Sequence, residues 1–364
     1  CRTIDAFRAI GRLGGADDGV EPHDETARFT TQGVMFDTSR NAVLNIDSAR
    51  SLLRRLALMG VNMLMFYTED TYEVPDEPFF GYLRGRYTID ELKGLDDYAA
   101  LFGIEMIPCI QALGHLGQIL QWPAYEELQD NQWVLLADDE KTYALLCKMI
   151  AAATAPYRSN RIHIGMDEAH GVGTGRFKKL FGDQEPFDIL NRHLRRVRDI
   201  CTELALQPMI WSDMYFRLGS ATYDYYDLEA EVPDRVRDAI PDAVDLVYWD
   251  YYHQDPEFYA AMIDRHRALG VEPLIAAGIW TWGRFWAHLP VSMGNMTAFM
   301  SAARDKGVKE ALVTIWGDDG TECDLFSALA GLQLFAELGY ADDVDEDVLH
   351  SNFRGSCDED FAMF

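Results

Sequence analysis

Two adjacent carboxylates, Asp167 and Glu168, close the run His163-Ile164-Gly165-Met166-Asp167-Glu168, where an apolar stretch gives way to a glycine-bearing loop at 169–173. Carboxylates at the mouth of a core cost free energy unless they are paired or used, and such places are where pKa values are shifted for chemistry. Two neighbouring carboxyl groups do not both ionise freely, so their surroundings sort them into a proton carrier and an anion. That sorting suits acid–base work on a single substrate. The bland alternative is a helix N-cap, since Asp followed by Glu is common at helix starts.

The elements that must hold this pair are legible as an alternation. Apolar runs predict strands at 33–37, 62–67, 105–111, 161–166, 208–212, 245–249, 273–279 and 311–316. Amphipathic patterns predict helices at 47–59, 88–102, 140–154, 186–206, 233–239, 256–269, 292–306 and 327–338. Strands that are apolar throughout, separated by helices, indicate a parallel sheet covered by helices. Eight such units in 364 residues point to a closed (β/α)8 barrel, a TIM barrel, over 31–340. No Gly-x-Gly-x-x-Gly follows the first strand, which counts against a dinucleotide fold. Residues 1–30 are expected to be an N-terminal extension, with a short helix at 5–13 and a loop at 14–30. Residues 341–364 are expected to be a C-terminal extension that begins a further helix at 345–353 and is cut short.

In such barrels the site lies at the C-terminal ends of the strands. Those ends offer Asp37 and Arg40, Glu69-Asp70, Gly114-His115, Asp167-Glu168, Trp211 with Asp213, Trp249-Asp250-Tyr251-Tyr252, Trp280 with Trp282, and Trp316 with Asp318. Four successive strand ends supply tryptophan, a rare and large residue. Indole walls suit the apolar faces of pyranose rings, with carboxylates and Arg binding the hydroxyls. The formal charge of −28 argues against nucleic acid and anionic membrane surfaces. Six cysteines show no metal-ligand spacing, and buried reduced cysteines favour a reducing, cytoplasmic setting. No apolar run is long enough for a membrane span.

The motif His-x-Gly-x-Asp-Glu resembles the catalytic signature of glycoside hydrolase family 20, the β-N-acetylhexosaminidases, and the resemblance extends from about Gly33 to Leu338. Phe36-Asp37-Thr38-Ser39-Arg40 looks like the family's Asp-x-x-Arg, whose Arg holds sugar hydroxyls. Asp70 and Gly114-His115 are similar to a dyad that supports the catalytic acid. Trp211 and Trp249 resemble pocket walls, and Trp316-Gly317-Asp318 the eighth-strand Trp-x-acid. The sequences 64–72 and 111–115 look like a shorter bacterial subgroup.

The resemblance implies removal of terminal β-linked GlcNAc or GalNAc with retention, by substrate-assisted catalysis through an oxazolinium ion, with no cofactor and no metal. It assigns Glu168 as general acid and then base, with a raised pKa, and Asp167 as an anion that accepts the acetamido N–H. His115 and Asp70 would hold Glu168. The Tyr that holds the acetamido oxygen is Tyr251 or Tyr252, and period-2 alternation puts Tyr251 beside Trp249. Trp280, Trp282, Trp316 and Asp318 complete the sugar site. Three departures stand out: Gln111-Ala112-Leu113-Gly114-His115 where the family has Asp-x-Pro-Gly-His, Asp318 in place of Glu, and no Tyr on strand seven.

Two other classes compete. A metal-dependent barrel hydrolase would use His163, Asp167, Glu168 and Asp213 as ligands. A sugar-binding barrel without catalysis would keep the tryptophans and lose Asp167 or Glu168, and both are present. Either a monomer or a homodimer is compatible with this chain.

Overall fold

The computed structural model describes residues 2–16 and 24–364. Eight parallel strands close into a barrel in sequence order: β1 Thr31–Asp37, β2 Met63–Tyr67, β3 Glu105–Cys109, β4 Arg161–His163, β5 Gln207–Trp211, β6 Asp245–Trp249, β7 Leu274–Ile279 and β8 Glu310–Ile315. Closure is made by β1 against β8, with Thr31 opposite Glu310 and Phe36 opposite Ile315. Each strand is buried on both faces, which explains why apolar runs rather than alternating patterns marked them.

Alternation still decides which way each residue points. Met35, Met63, Met65, Tyr67, Ile107, Cys109, Met209, Trp211, Val247 and Leu312 pack together in the barrel interior. Their neighbours Val34, Phe36, Leu64, Phe66, Ile210 and Leu246 pack outward, in the layer shared with the helices. The interior thins upward into polar side chains, so the C-terminal mouth is where chemistry can sit.

The helices begin and end on local signals. Asn45 caps Ile46–Met59 by accepting the N–H of Ser48, and Gly60 closes it in the left-handed conformation. Thr88 and Glu91 form a reciprocal capping box at the start of Ile89–Ala100. Asp139 and Asp255 cap Glu140–Thr154 and Pro256–Ala268. Leu289–Asp305 starts three residues before the predicted point because Pro290 fits the first helical turn.

Two further departures from the sequence reading bear on the site. The fourth strand stops at His163 instead of Met166, because Gly165 (φ 67°) and Met166 (φ 73°) turn into the left-handed region. The fifth connection holds two short helices, Asp213–Gly219 and Asp234–Arg237, the first of which no pattern announced. The N-terminal helix is Thr3–Gly15, and the predicted 14–30 loop falls partly on residues 17–23, outside the described residues. The helix Glu346–Cys357 packs on it; buried Arg8 joins the N-terminal helix to Glu337 at 2.8 Å, and Asn352 joins Glu346–Cys357 to the same carboxylate at 2.9 Å.

Candidate active site

The site is built strand by strand. At the end of β1, buried Asp37 accepts N–H groups from Ser39 at 2.8 Å and Gly317 at 2.9 Å, tying β1 to β8. Its other task is to orient Arg40, whose Nη1 lies 3.0 Å from Asp37 Oδ2. Arg40 Nη2 then reaches Glu69 Oε1 at 3.1 Å, and the guanidinium lies over the Tyr67 ring at 4.9 Å. Tyr67 donates its hydroxyl to Glu69 at 3.0 Å and accepts Gln111 Nε2 at 2.9 Å.

Gln111 is the bridge to the carboxylate pair. Its Nε2 donates to Asp167 Oδ1 at 2.7 Å, and its Oε1 accepts the Met166 N–H at 3.1 Å. Gly165 makes that bridge sterically open: a Cβ at that position would stand 2.1 Å from Gln111 Oε1. His115 Nε2 lies 3.2 Å from Asp167 Oδ2 and 3.4 Å from Glu168 Oε2, while Nδ1 faces Arg40 at 3.5 Å. The Nε2 proton is therefore within reach of both carboxylates.

His115, Met166, Glu168 and Asp318 all have positive φ, at 54°, 73°, 43° and 44°. Non-glycine residues rarely stay there unless their surroundings hold them, and such strain gathers at functional sites.

Electrostatics follow from this geometry. Burial works against a charge on His115, but the charge and hydrogen bonds of Asp167 and Glu168 prevail and raise its pKa well above the ordinary imidazole value. Burial pushes Asp167 up, yet His115 and Gln111 hold it below the ordinary carboxylate range. Glu168 follows the same pattern: burial raises it, and hydrogen bonds from His115 and Tyr225 bring it below its ordinary value. The sequence reading expected Glu168 to be raised, and the structure corrects this.

One pocket collects Arg40, His115, Asp167, Glu168, Trp211, Trp249, Tyr251, Tyr252, Trp282, Trp316 and Asp318. Every residue expected from the sequence is there except Asp70 and Trp280. Asp70 points away from His115 and pairs with Arg84 at 3.4 Å. Alternation is the reason, since Glu69 shares the inward face of Tyr67 and Asp70 takes the other. Glu69, and not Asp70, supplies the carboxylate on the Arg40–His115 side. Trp280 stacks behind Trp282 at 5.5 Å and donates its indole N–H to the Trp282 carbonyl at 3.0 Å, so it backs the wall without forming it.

Tyr251 stacks on Trp249 at 5.1 Å and accepts the Trp316 indole N–H at 2.9 Å. Gly278 leaves room for its ring, because a Cβ there would lie 2.5 Å from it. Tyr252 is half exposed at the rim.

The metal reading does not fit these donors. His163 is fully buried, accepts the Gly165 N–H on Nδ1 at 3.1 Å, and burial drives its pKa down to about 3. Among the described residues no cluster of three or more His, Cys, Asp or Glu is placed to hold an ion.

Sequence reasoning offered Glu69 at its strand end but gave the role to Asp70, and it missed Tyr67, Gln111 and Tyr225 as members of the site. Tyr67 and Gln111 sit at strand ends where alternation from the inward-facing residues would have found them. Tyr225 bonds Glu168 and meets His170 Nε2 at 2.5 Å from a long irregular loop, for which the sequence carries no periodic signal.

An eight-stranded barrel with paired carboxylates and indole walls at its C-terminal mouth defines a class of sugar-site barrels. The model of the glycosyl hydrolase family 20 catalytic domain matches residues 29–225, and the chain belongs to that family. It is 25% identical over 231 residues to human hexosaminidase D, covering 60% of this chain and 45% of that protein. Against the bovine hexosaminidase D it is 25% identical over 240 residues, 62% of each chain. Thus it spans about half the length of the curated relatives it matches.

Among solved structures, the fold resembles the Streptomyces plicatus N-acetyl-β-hexosaminidase in complex with Thio-NAglucal, with a TM-score of 0.67 at 18% identity over 92% of this chain and 70% of that one. The family 20 β-N-acetylhexosaminidase of Streptomyces coelicolor gives 0.67 at 18% identity, covering 97% of this chain and 75% of that one.

Proposed function

We propose that the chain is the catalytic barrel of a retaining exo-β-N-acetylhexosaminidase that removes terminal β-linked GlcNAc or GalNAc by substrate-assisted catalysis. The observation that carries this is the trio Asp167, Glu168 and His115 at one mouth, with His115 Nε2 reaching both carboxylates inside an indole-walled pocket. A lone sugar-binding barrel has no need of a proton poised between two acids.

In this reading a sugar in the pocket excludes water and raises the proton affinity of Glu168, which takes the proton from His115 and gives it to the departing oxygen. The C1–O bond breaks as the acetamido oxygen of the same sugar bonds to C1, forming the oxazolinium ion. Asp167, kept anionic by His115 and Gln111, accepts the acetamido N–H and stabilises the developing positive charge. Trp316 donates its indole N–H to the Tyr251 hydroxyl, which leaves that hydroxyl its own hydrogen to turn toward the acetamido oxygen. Glu168 then removes a proton from water, which attacks C1 and opens the ring. Arg40 and Asp318 bind hydroxyls on the far side.

The reading is tested with paired aryl glycosides. β-GlcNAc and β-GalNAc substrates are cleaved, and the β-glucoside, lacking the acetamido group, is cleaved at least about 10²-fold more slowly. Equal rates on the β-glucoside and the β-GlcNAc substrate would exclude assistance by the substrate.

A further inference from the structure

A third carboxyl group, Asp213, lies against the catalytic pair and has no part in the steps above. It follows β5 two residues after Trp211 and is buried, only 4% exposed. Its Oδ2 accepts the backbone N–H of Glu168 at 3.0 Å. Its Oδ1 is buried and, among the described residues, has no hydrogen-bond partner. The groups that face it are Asp167 and Glu168 beyond β4, the Trp249 indole at the end of β6, and the Tyr225 hydroxyl from the β5–β6 connection. None of these is positive.

An anion there would stand beside two others with only the Glu168 N–H and the Trp249 indole N–H set against its charge, which is a costly arrangement. A neutral carboxylic acid keeps an acceptor for the Glu168 N–H and avoids that repulsion. Burial first, then the charge of Asp167 and Glu168, pushes its pKa up to about 8, in accord with this.

Glu168 needs such a hold. Its φ of 43° is left-handed, a conformation that a non-glycine residue abandons when released. Two contacts fix it: Asp213 on its N–H, and the His170 N–H on its carbonyl at 2.5 Å. Loss of the first takes the partner from a part-buried donor and lets the turn relax. A displacement of about 1 Å in a reacting group is worth about 10²-fold in rate.

We propose that Asp213 is a positioning residue for Glu168, a neutral carboxylic acid in the working enzyme that grips the Glu168 N–H and so fixes where its carboxyl group stands. This rests on the acid role of Glu168 given above.

The test compares wild type, E168Q, D213A and D213N on two β-GlcNAc substrates, one with an acidic phenol as leaving group and one with a simple alcohol. Removing Glu168 hurts the alcohol substrate far more, because the phenol leaves without a proton. D213A follows the same pattern more weakly, losing about 30-fold in kcat on the alcohol and about threefold on the phenol, with KM within about threefold. D213N, whose amide oxygen still accepts the N–H, loses about fivefold or less.

Equal loss on both substrates in D213A, or a D213N as damaged as D213A, overturns the proposal. If E168Q itself shows no dependence on the leaving group, the acid assignment fails, which is a different signature. Should D213A not fold, D213E decides: its longer arm displaces the oxygen, so D213N retains more activity than D213E. The reverse order would mean that charge and not position matters, and the proposal falls.

Discussion

At the scale of single residues, the two carboxylates share one histidine proton and are expected to fail differently. Glu168→Gln removes leaving-group protonation, worth about 10² to 10⁴-fold, and the loss shrinks with acidic leaving groups. Asp167→Asn weakens stabilisation of the oxazolinium ion, so a good leaving group rescues it far less, and a thiazoline mimic binds it much more weakly. The slope of log kcat/KM against leaving-group pKa checks this. A steep slope for Asp167→Asn with a flat one for Glu168→Gln would reverse the roles.

Arg40 offers a second check, because its two terminal nitrogens serve Asp37 and Glu69 at once. Arg40→Lys supplies one point charge in place of a planar fork, and kcat/KM should fall by about 10-fold or more. Near-normal kinetics would take Arg40 out of the site.

Elements set where these residues stand, and the turn after β4 is the most demanding of them. Gly165→Ala would force a side chain into a left-handed backbone and against Gln111. We expect a loss of about 2–3 kcal/mol in urea unfolding, from strain at φ > 0 plus displaced packing. Activity should fall further than stability alone explains, since Gln111 also holds Asp167. An alanine variant with wild-type stability would show that the turn carries no strain.

The helices were easier to read than this turn. Capping at Asn45, Thr88 and Asp255 depends on neighbours two or three residues away, whereas the register of Gln111 against Gly165 depends on two strands meeting.

Across the whole molecule, charge burial makes stability depend on pH. Asp213 is raised in the folded chain from the ordinary carboxylate value to about 8, so the folded state holds a proton that the unfolded state releases. Its contribution is therefore fully present below about pH 4 and is lost as pH rises toward 8. Asp213→Asn removes that dependence, and its unfolding free energy relative to wild type should climb between those limits and then level off. A difference that is constant from pH 4 to pH 8 would show that Asp213 ionises normally.

Arg8 gives a prediction of the same scale. Its side chain is buried against Glu337 and Glu25 and lies over Tyr340 at 3.8 Å, so it fastens the N-terminal helix to the barrel. Arg8→Leu strands the buried Glu337, and calorimetry should register a loss of about 3–5 kcal/mol.

The sequence alone determined what is local or periodic. Strand and helix order, the count of eight units, the caps, and the gathering of Asp37, His115, Asp167, Trp249 and Trp316 at strand ends all follow from spacing that neighbours along the chain can encode. Tertiary structure decided the rest. Whether Glu69 or Asp70 faces inward depended on where the strand's alternation is anchored in the barrel, and the placing of Trp280 behind Trp282 depended on how the β7 loop packs. The opposite pulls on His115 and Glu168 depended on three groups that follow β3 and β4 meeting within hydrogen-bond reach. Asp213 beneath Glu168 is the sharpest case. Strand order already brought this third acid to the same mouth, but a carboxyl's charge is set by what surrounds it in space, and no interval along the chain records that its oxygen meets the Glu168 N–H with no cation beside it.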